Sequence, residues 1–166
     1  MVYNVTMESD INTWILERLS DNHPAFNDLP ACPFAKEALL NNRVVIHALD
    51  NNEDFYTLLD AYTQSWPEGK EVVVLGCTPD HISSADLTQI VDTASEDFLS
   101  SRGYIALEDH PDETESVAGY VVNQGSYALV LLQSAQKLNK ARLILDRKGY
   151  YKHWDSEYKQ EVLSRA

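Results

Sequence analysis

The sequence predicts an α/β (α+β) fold: a mixed sheet of about four strands with helices packed on it, in an order compatible with a ferredoxin-like arrangement. Three observations lead there. Short apolar or β-branched runs at 43–49, 71–76, 104–108 and 127–132 are separated by longer segments. Two of those intervening segments carry apolar residues at helical spacing, the pattern of strand–helix–strand units. The 166 residues, 44% hydrophobic and 10% aromatic, suit one domain able to bury a full core without disulfides or metal. The chain, 1–166, is read as a single domain with a basic C-terminal helical segment over 134–166.

The elements follow in order. Ser9 is placed to cap a helix over 10–20, with Ile11, Trp14, Ile15 and Leu19 on one face. Residues 21–31, rich in Asn, Asp and Pro, read as loop. A second helix is predicted to begin near Cys32-Pro33, since proline suits the first helical position, and to run to Asn41 or Asn42. The first strand spans 43–49. Asn51 or Asn52 would cap the next helix, which carries Phe55, Leu58, Leu59 and Tyr62 and ends at Trp66-Pro67-Glu68-Gly69. The run 71–76 is the strongest central-strand candidate. Ser83 would cap a long helix over 84–100, and Gly103 leads into the third strand. Residues 109–125 read as a long acidic loop, a length that usually marks function or disorder. A fourth strand at 127–132 precedes a helix over 134–147, with Gly149 fitting its C-terminal cap. Asp155 or Ser156 would start a short last helix. If the first three strands run parallel, their C-terminal ends share one edge, where open α/β sheets bind ligands. That edge carries Asp50 and Asn51, then 77–81, then 109–112.

Acidic residues number 26 and basic residues 13, a net charge of −13. Residues 1–136 hold 22 acidic and five basic side chains, net −17, while 137–166 hold four and eight, net +4. Broad nucleic-acid binding is excluded, because neutralising phosphates takes Lys and Arg. An anionic membrane surface is disfavoured, and no run approaches the ~20 apolar residues of a membrane span. The start lacks the basic and apolar regions of a signal peptide, and two cysteines make no disulfide framework, so a cytoplasmic protein with reduced thiols is expected. The basic tail is read as a closing helix docked on an acidic body, or as a contact surface for an acidic partner or self-association.

Three segments could carry chemistry. Cys32 sits where a helix is expected to start, with Lys36 one turn on; helix-end amides and positive charge stabilise a thiolate. The alternative is a small buried hydrophobe. The segment 32–36 resembles half of a glutaredoxin active site, but Ala35 stands where the partner cysteine would be, which excludes dithiol chemistry within the motif. Cys77-Thr78-Pro79-Asp80-His81 spaces a Cys and a His four apart, as ligands on one helical turn, although Pro79 argues against a regular turn and zinc needs more ligands than this segment supplies. Asp109-His110-Pro111-Asp112 sets His110 between carboxylates, where it could act as acid, base or ligand, or simply belong to a solvated turn. His47, on the first strand, reads as a satisfied, half-buried histidine. No Walker loop, nucleophile elbow or glycine-rich dinucleotide fingerprint is present.

Leu16-Glu17-Arg18, Cys32-Pro33-Phe34-Ala35-Lys36 and His110-Pro111-Asp112, with Gly119, Asn123 and Tyr127 following, resemble an uncharacterised bacterial family marked by a Leu-Cys-Pro-Phe-Ala-Lys motif and a later His-Pro-Asp motif. The resemblance spans about 11–145. It implies a shared site of Cys32, His110 and Asp112 but supplies no reaction. Cys77-Thr78-Pro79 stands where that family has His-Pro, exchanging a possible ligand or base for a thiol.

Two functions are therefore expected. One is a small enzyme acting on a small molecule. Cys32 would be nucleophile or metal ligand assisted by Lys36, His110 would be acid/base or ligand oriented by Asp112, and Cys77 or His81 would complete a site able to take a transition metal. The other is an acidic interaction protein, a basic-partner binder or nucleic-acid mimic, without catalysis.

Overall fold

A computed structural model describes residues 2–165. Four strands form the main sheet: β1 (Val44–Ala48), β2 (Val72–Cys77), β3 (Tyr104–Asp109) and β4 (Ala128–Ser134). Their spatial order is β1-β2-β4-β3. β1 and β2 are parallel, and β4 pairs antiparallel with both β2 and β3. The fold is α/β, as expected, but the ferredoxin-like arrangement does not form. The β1–β2 crossover joins adjacent parallel strands, and only the β2–β3 crossover is split by an inserted antiparallel strand. β3 therefore points the same way as β1 and β2. The C-terminal ends of all three lie along one edge, beside the start of β4: Cys77 is opposite Ala128 and Asp109 opposite Leu129.

The alternation of β2 sends its side chains to two cores. Val73, Leu75 and Cys77 face α3 (Phe55–Gln64) and α4 (Ser84–Ala94), packing with Leu59, Leu87 and Val91. Val74 faces α1 (Val2–Thr13), which supplies Met7 and Ile11 and continues as a wider π-helical turn through Trp14–Leu19. Position 76 falls on the same side as Val74, and glycine is needed there because a Cβ would stand 2.8 Å from Leu129 and 3.0 Å from Met7.

Several local expectations shift. α1 starts well before Ser9, because Met7 and Ile11, both fully buried, extend the apolar stripe past it. α2 is short, Ala35–Leu40, so Cys32-Pro33 forms a turn ahead of it, with the Ala35 amide on the Cys32 carbonyl. Asp54, not Asn51 or Asn52, caps α3 by accepting the Thr57 amide at 2.8 Å; Asn52 instead donates its amide to Asp50 in the preceding turn. Ser83 caps α4 as expected, accepting the Asp86 amide.

The acidic stretch 109–125 is ordered. Ser116–Val117 and Tyr120–Val121 pair as a small ladder, and the buried Asn123 bonds both the Glu113 carbonyl and the Glu115 amide. Ser134 caps α5 (Ala135–Arg147), and Asp155 caps α6 (Ser156–Ser164). These last helices close a third, aromatic core, in which Phe26 stacks on Tyr150 and Trp154 on Tyr158. Buried Arg142 bridges to the Val162 carbonyl, and Arg165 reaches Glu108 of β3 at 2.5 Å, docking the basic tail on the acidic body. No helix among the described residues is long and apolar enough to cross a membrane.

Candidate functional site

The shared strand edge opens into a cleft of about 680 Å³ beyond β1 and β2, a size suited to a small organic ligand. It forms because the chain leaves both strands into turns before α3 and α4. Leu49, Phe55, Cys77, Ile82 and Ile90 supply its apolar lining; Asp50, Glu53 and Asp54 bring three carboxylates, and Asn51, Thr78 and His81 complete the polar groups. The lining contains no Lys or Arg.

The carboxylates are held in place. Glu53 accepts the Asp50 amide at 3.0 Å and bonds His47 Nε2 through both oxygens, at 3.0 and 2.9 Å. The Asp50 amide, followed by the His47 hydrogen bond, lowers the Glu53 pKa and keeps it charged. His47 Nδ1 meets the Tyr62 hydroxyl at 2.7 Å, so this ring is satisfied at both nitrogens and half-buried. At the other wall the Thr78 hydroxyl and His81 Nδ1 share a short hydrogen bond, and Asp80 stands 3.7 Å from the same nitrogen. His81 is exposed and its Nε2 has no partner among the described residues.

The residues singled out by sequence do not assemble into one site. Cys77 and His81 both line the cleft, but on a strand end and a short 3-10 turn (Pro79–His81) rather than one helical turn. Burial, then the nearby Asp80 charge, pushes the Cys77 thiol up to about 11. Cys32 belongs to another neighbourhood: its amide donates to Leu19, and Tyr150, which bonds the preceding Ala31 carbonyl, lies close enough to feel its charge. The Phe34 and Ala35 amides do reach its sulfur, as a helix start would arrange, but burial outweighs them and the pKa rises. Desolvation of a charged sulfur thus works against the thiolate that these two amides would stabilise. Lys36 is exposed on α2.

His110 is 3% exposed and fully engaged by backbone: Nε2 donates to the Ile82 carbonyl at 2.8 Å and Nδ1 accepts the Asp112 amide at 3.1 Å. It acts as a tie between the end of β3 and the start of α4. The Asp112 carboxylate is 3.8 Å from the ring and largely exposed. Cys32, Cys77, His81 and His110 do not converge, and no group of three or more His, Cys, Asp or Glu among the described residues is arranged to hold a metal ion.

Reaction with a thiol reagent at neutral pH is expected to be slower at both cysteines than at an unperturbed thiol, by at least about tenfold at Cys77, since each pKa unit upward costs about tenfold in thiolate. Both should become fast on unfolding. Rapid labelling of Cys32 in the folded chain would restore it as a reactive centre.

Sequence reasoning missed Glu53, Asp54 and Phe55 as cleft residues. They sit at the start of a helix with no motif around them, and only the β1–β2 pairing brings them over Cys77. No family model, curated protein or solved structure matches this chain.

Proposed function

We propose that this protein binds a small organic cation, an amine with an apolar body, in the cleft at the β1–β2 edge. The observation that carries this reading is the lining itself: three carboxylates over an apolar floor, with no Lys or Arg in it and Glu53 shared with His47. A low-dielectric floor strengthens attraction to the rim carboxylates, so a cation whose apolar part covers Phe55, Ile82 and Ile90 gains from both. His81, with Nε2 open, is the group able to exchange a proton with a bound amine, which is how a small enzyme would use this site. Cysteine–histidine chemistry would run through Cys77 and His81, with the thiol needing a base to ionise. Cys32 and His110 contribute to that reading only if they move.

A second reading, an acidic interaction protein, is favoured by one specific observation: Asp86 and Asp92 on α4 and Glu96 on the π-helical turn after it (Ser95–Leu99) are exposed and make no ion pair among the described residues.

Calorimetric titration with matched aliphatic and aromatic amines, and with the corresponding carboxylic acids, tests the first reading. Amines should bind and acids should not, and Asp50→Asn should weaken binding about tenfold, the cost of one charge-assisted contact. Equal binding of the acids, or binding unaffected by Asp50→Asn, refutes it.

A further inference from the structure

The basic tail is only partly used by its own chain. Arg142, Lys159 and Arg165 have partners within the fold, but the side chains of Lys137, Lys140, Arg147 and Lys148 make no ion pair among the described residues. On α5, Lys140, Leu143, Ile144 and Arg147 fall at i, i+3, i+4 and i+7, which is one helical face. Leu143 is 61% and Ile144 45% exposed. One exposed leucine is ordinary; two adjacent aliphatic residues bracketed by two unpaired cations make a compact knob with a charged collar.

A complementary surface exists elsewhere on the molecule. Between α3 and α4 runs a groove of about 490 Å³ lined by Tyr56, Ile82, Asp86, Gln89, Ile90 and Thr93. Its apolar residues could receive aliphatic side chains. Its charge is negative: Asp86 makes no ion pair among the described residues, and Asp97 accepts the Tyr56 hydroxyl at 2.6 Å beside the same helix pair. The groove adjoins the cleft through His81, Ile82 and Ile90, but its fit to α5 does not depend on what the cleft binds.

We propose that α5 of one copy docks into the α3–α4 groove of a second copy. Leu143 and Ile144 enter over Tyr56, Ile82 and Ile90, while Lys140 and Arg147 sit beside Asp86 and Asp97. The complementary charges favour a second copy over an unrelated partner, because the acidic body and the basic tail are present in equal number on every chain. The two surfaces differ, so the contact is heterologous. Each copy offers both a knob and a groove, and assembly closes into a ring or extends as a chain.

Sedimentation velocity of the full chain tests this at concentrations up to about 1 mM. The mass should rise with concentration at about 0.1 M salt and fall back at about 1 M, where the screening length shrinks from about 10 Å to about 3 Å. Leu143→Asp, which removes the knob, and Asp86→Lys, which reverses the groove, should each give a monomer with an unchanged circular dichroism spectrum. Mixing these two variants should then produce a complex of two chains and no larger species, since each supplies the surface the other lacks. A wild-type chain that stays monomeric throughout the low-salt range overturns the proposal. So does association untouched by Leu143→Asp, or a mixture in which no complex forms.

Discussion

Asp109→Asn is expected to raise the stability of this protein at pH 8 by up to about 3 kcal/mol and to flatten its dependence on pH. Asp109 ends β3 and is buried. One carboxylate oxygen accepts the Gln124 amide at 2.9 Å, while the other is enclosed with no hydrogen-bond partner among the described residues. Burial raises its pKa from 3.8 to about 6, against smaller lowering effects of the Gln124 amide and the His110 ring. The native state therefore holds a proton that the unfolded state releases near pH 4. The contribution of Asp109 to stability is greatest below that point, declines as pH rises towards 6, and carries the full cost of the buried charge above it. A shift of about two units corresponds to about 3 kcal/mol. Asparagine keeps the acceptor for Gln124 and removes the charge. Glu115, raised to about 7 by burial first and the Asp109 charge second, should move back towards its ordinary value in the same variant. Urea unfolding at pH 5 and pH 8 measures both effects. A variant less stable than the parent at pH 8 would show that the Asp109 charge is compensated in the folded chain.

His110→Ala should destabilise the chain by about 2–4 kcal/mol, through an emptied buried volume and two backbone groups left unpaired. The Ile82 carbonyl and the Asp112 amide lose their partners together. Ile82 lines both the cleft and the α3–α4 groove, so amine binding should weaken as well, while a bound amine should still protect what folded protein remains. Denaturant midpoints at pH 7 provide the measurement. A loss of stability below about 0.5 kcal/mol would mean that the ring is not a structural tie.

Much of this architecture is written in short-range signals. Ser83 and Asp155 cap the helices they were expected to cap, and the four strands fall within one or two residues of the apolar runs that predict them. Such features depend on residues close in sequence, where spacing alone carries the information. Asp54 outcompetes Asn51 and Asn52 because its carboxylate takes both the Thr57 amide and the Thr57 hydroxyl, a choice between neighbours that composition cannot rank. The cleft is legible only in outline: its edge was named, with Asp50, Cys77 and His81 on it, but its partners from α3 were not.

By itself, the sequence determined the kinds of the main elements, their order, and the split between an acidic body and a basic tail; the parallel sense that puts three strand ends on one edge came from the strand pairing. Tertiary structure alone decided that β4 inserts between β2 and β3, because strand order is set by pairing between distant segments. It also set Cys32 beside Tyr150, where burial pushes its pKa up, and made His110 a backbone tie. In each case the residue type allowed either chemistry. Burial and hydrogen-bond partners, which come from residues far away in the chain, selected between them.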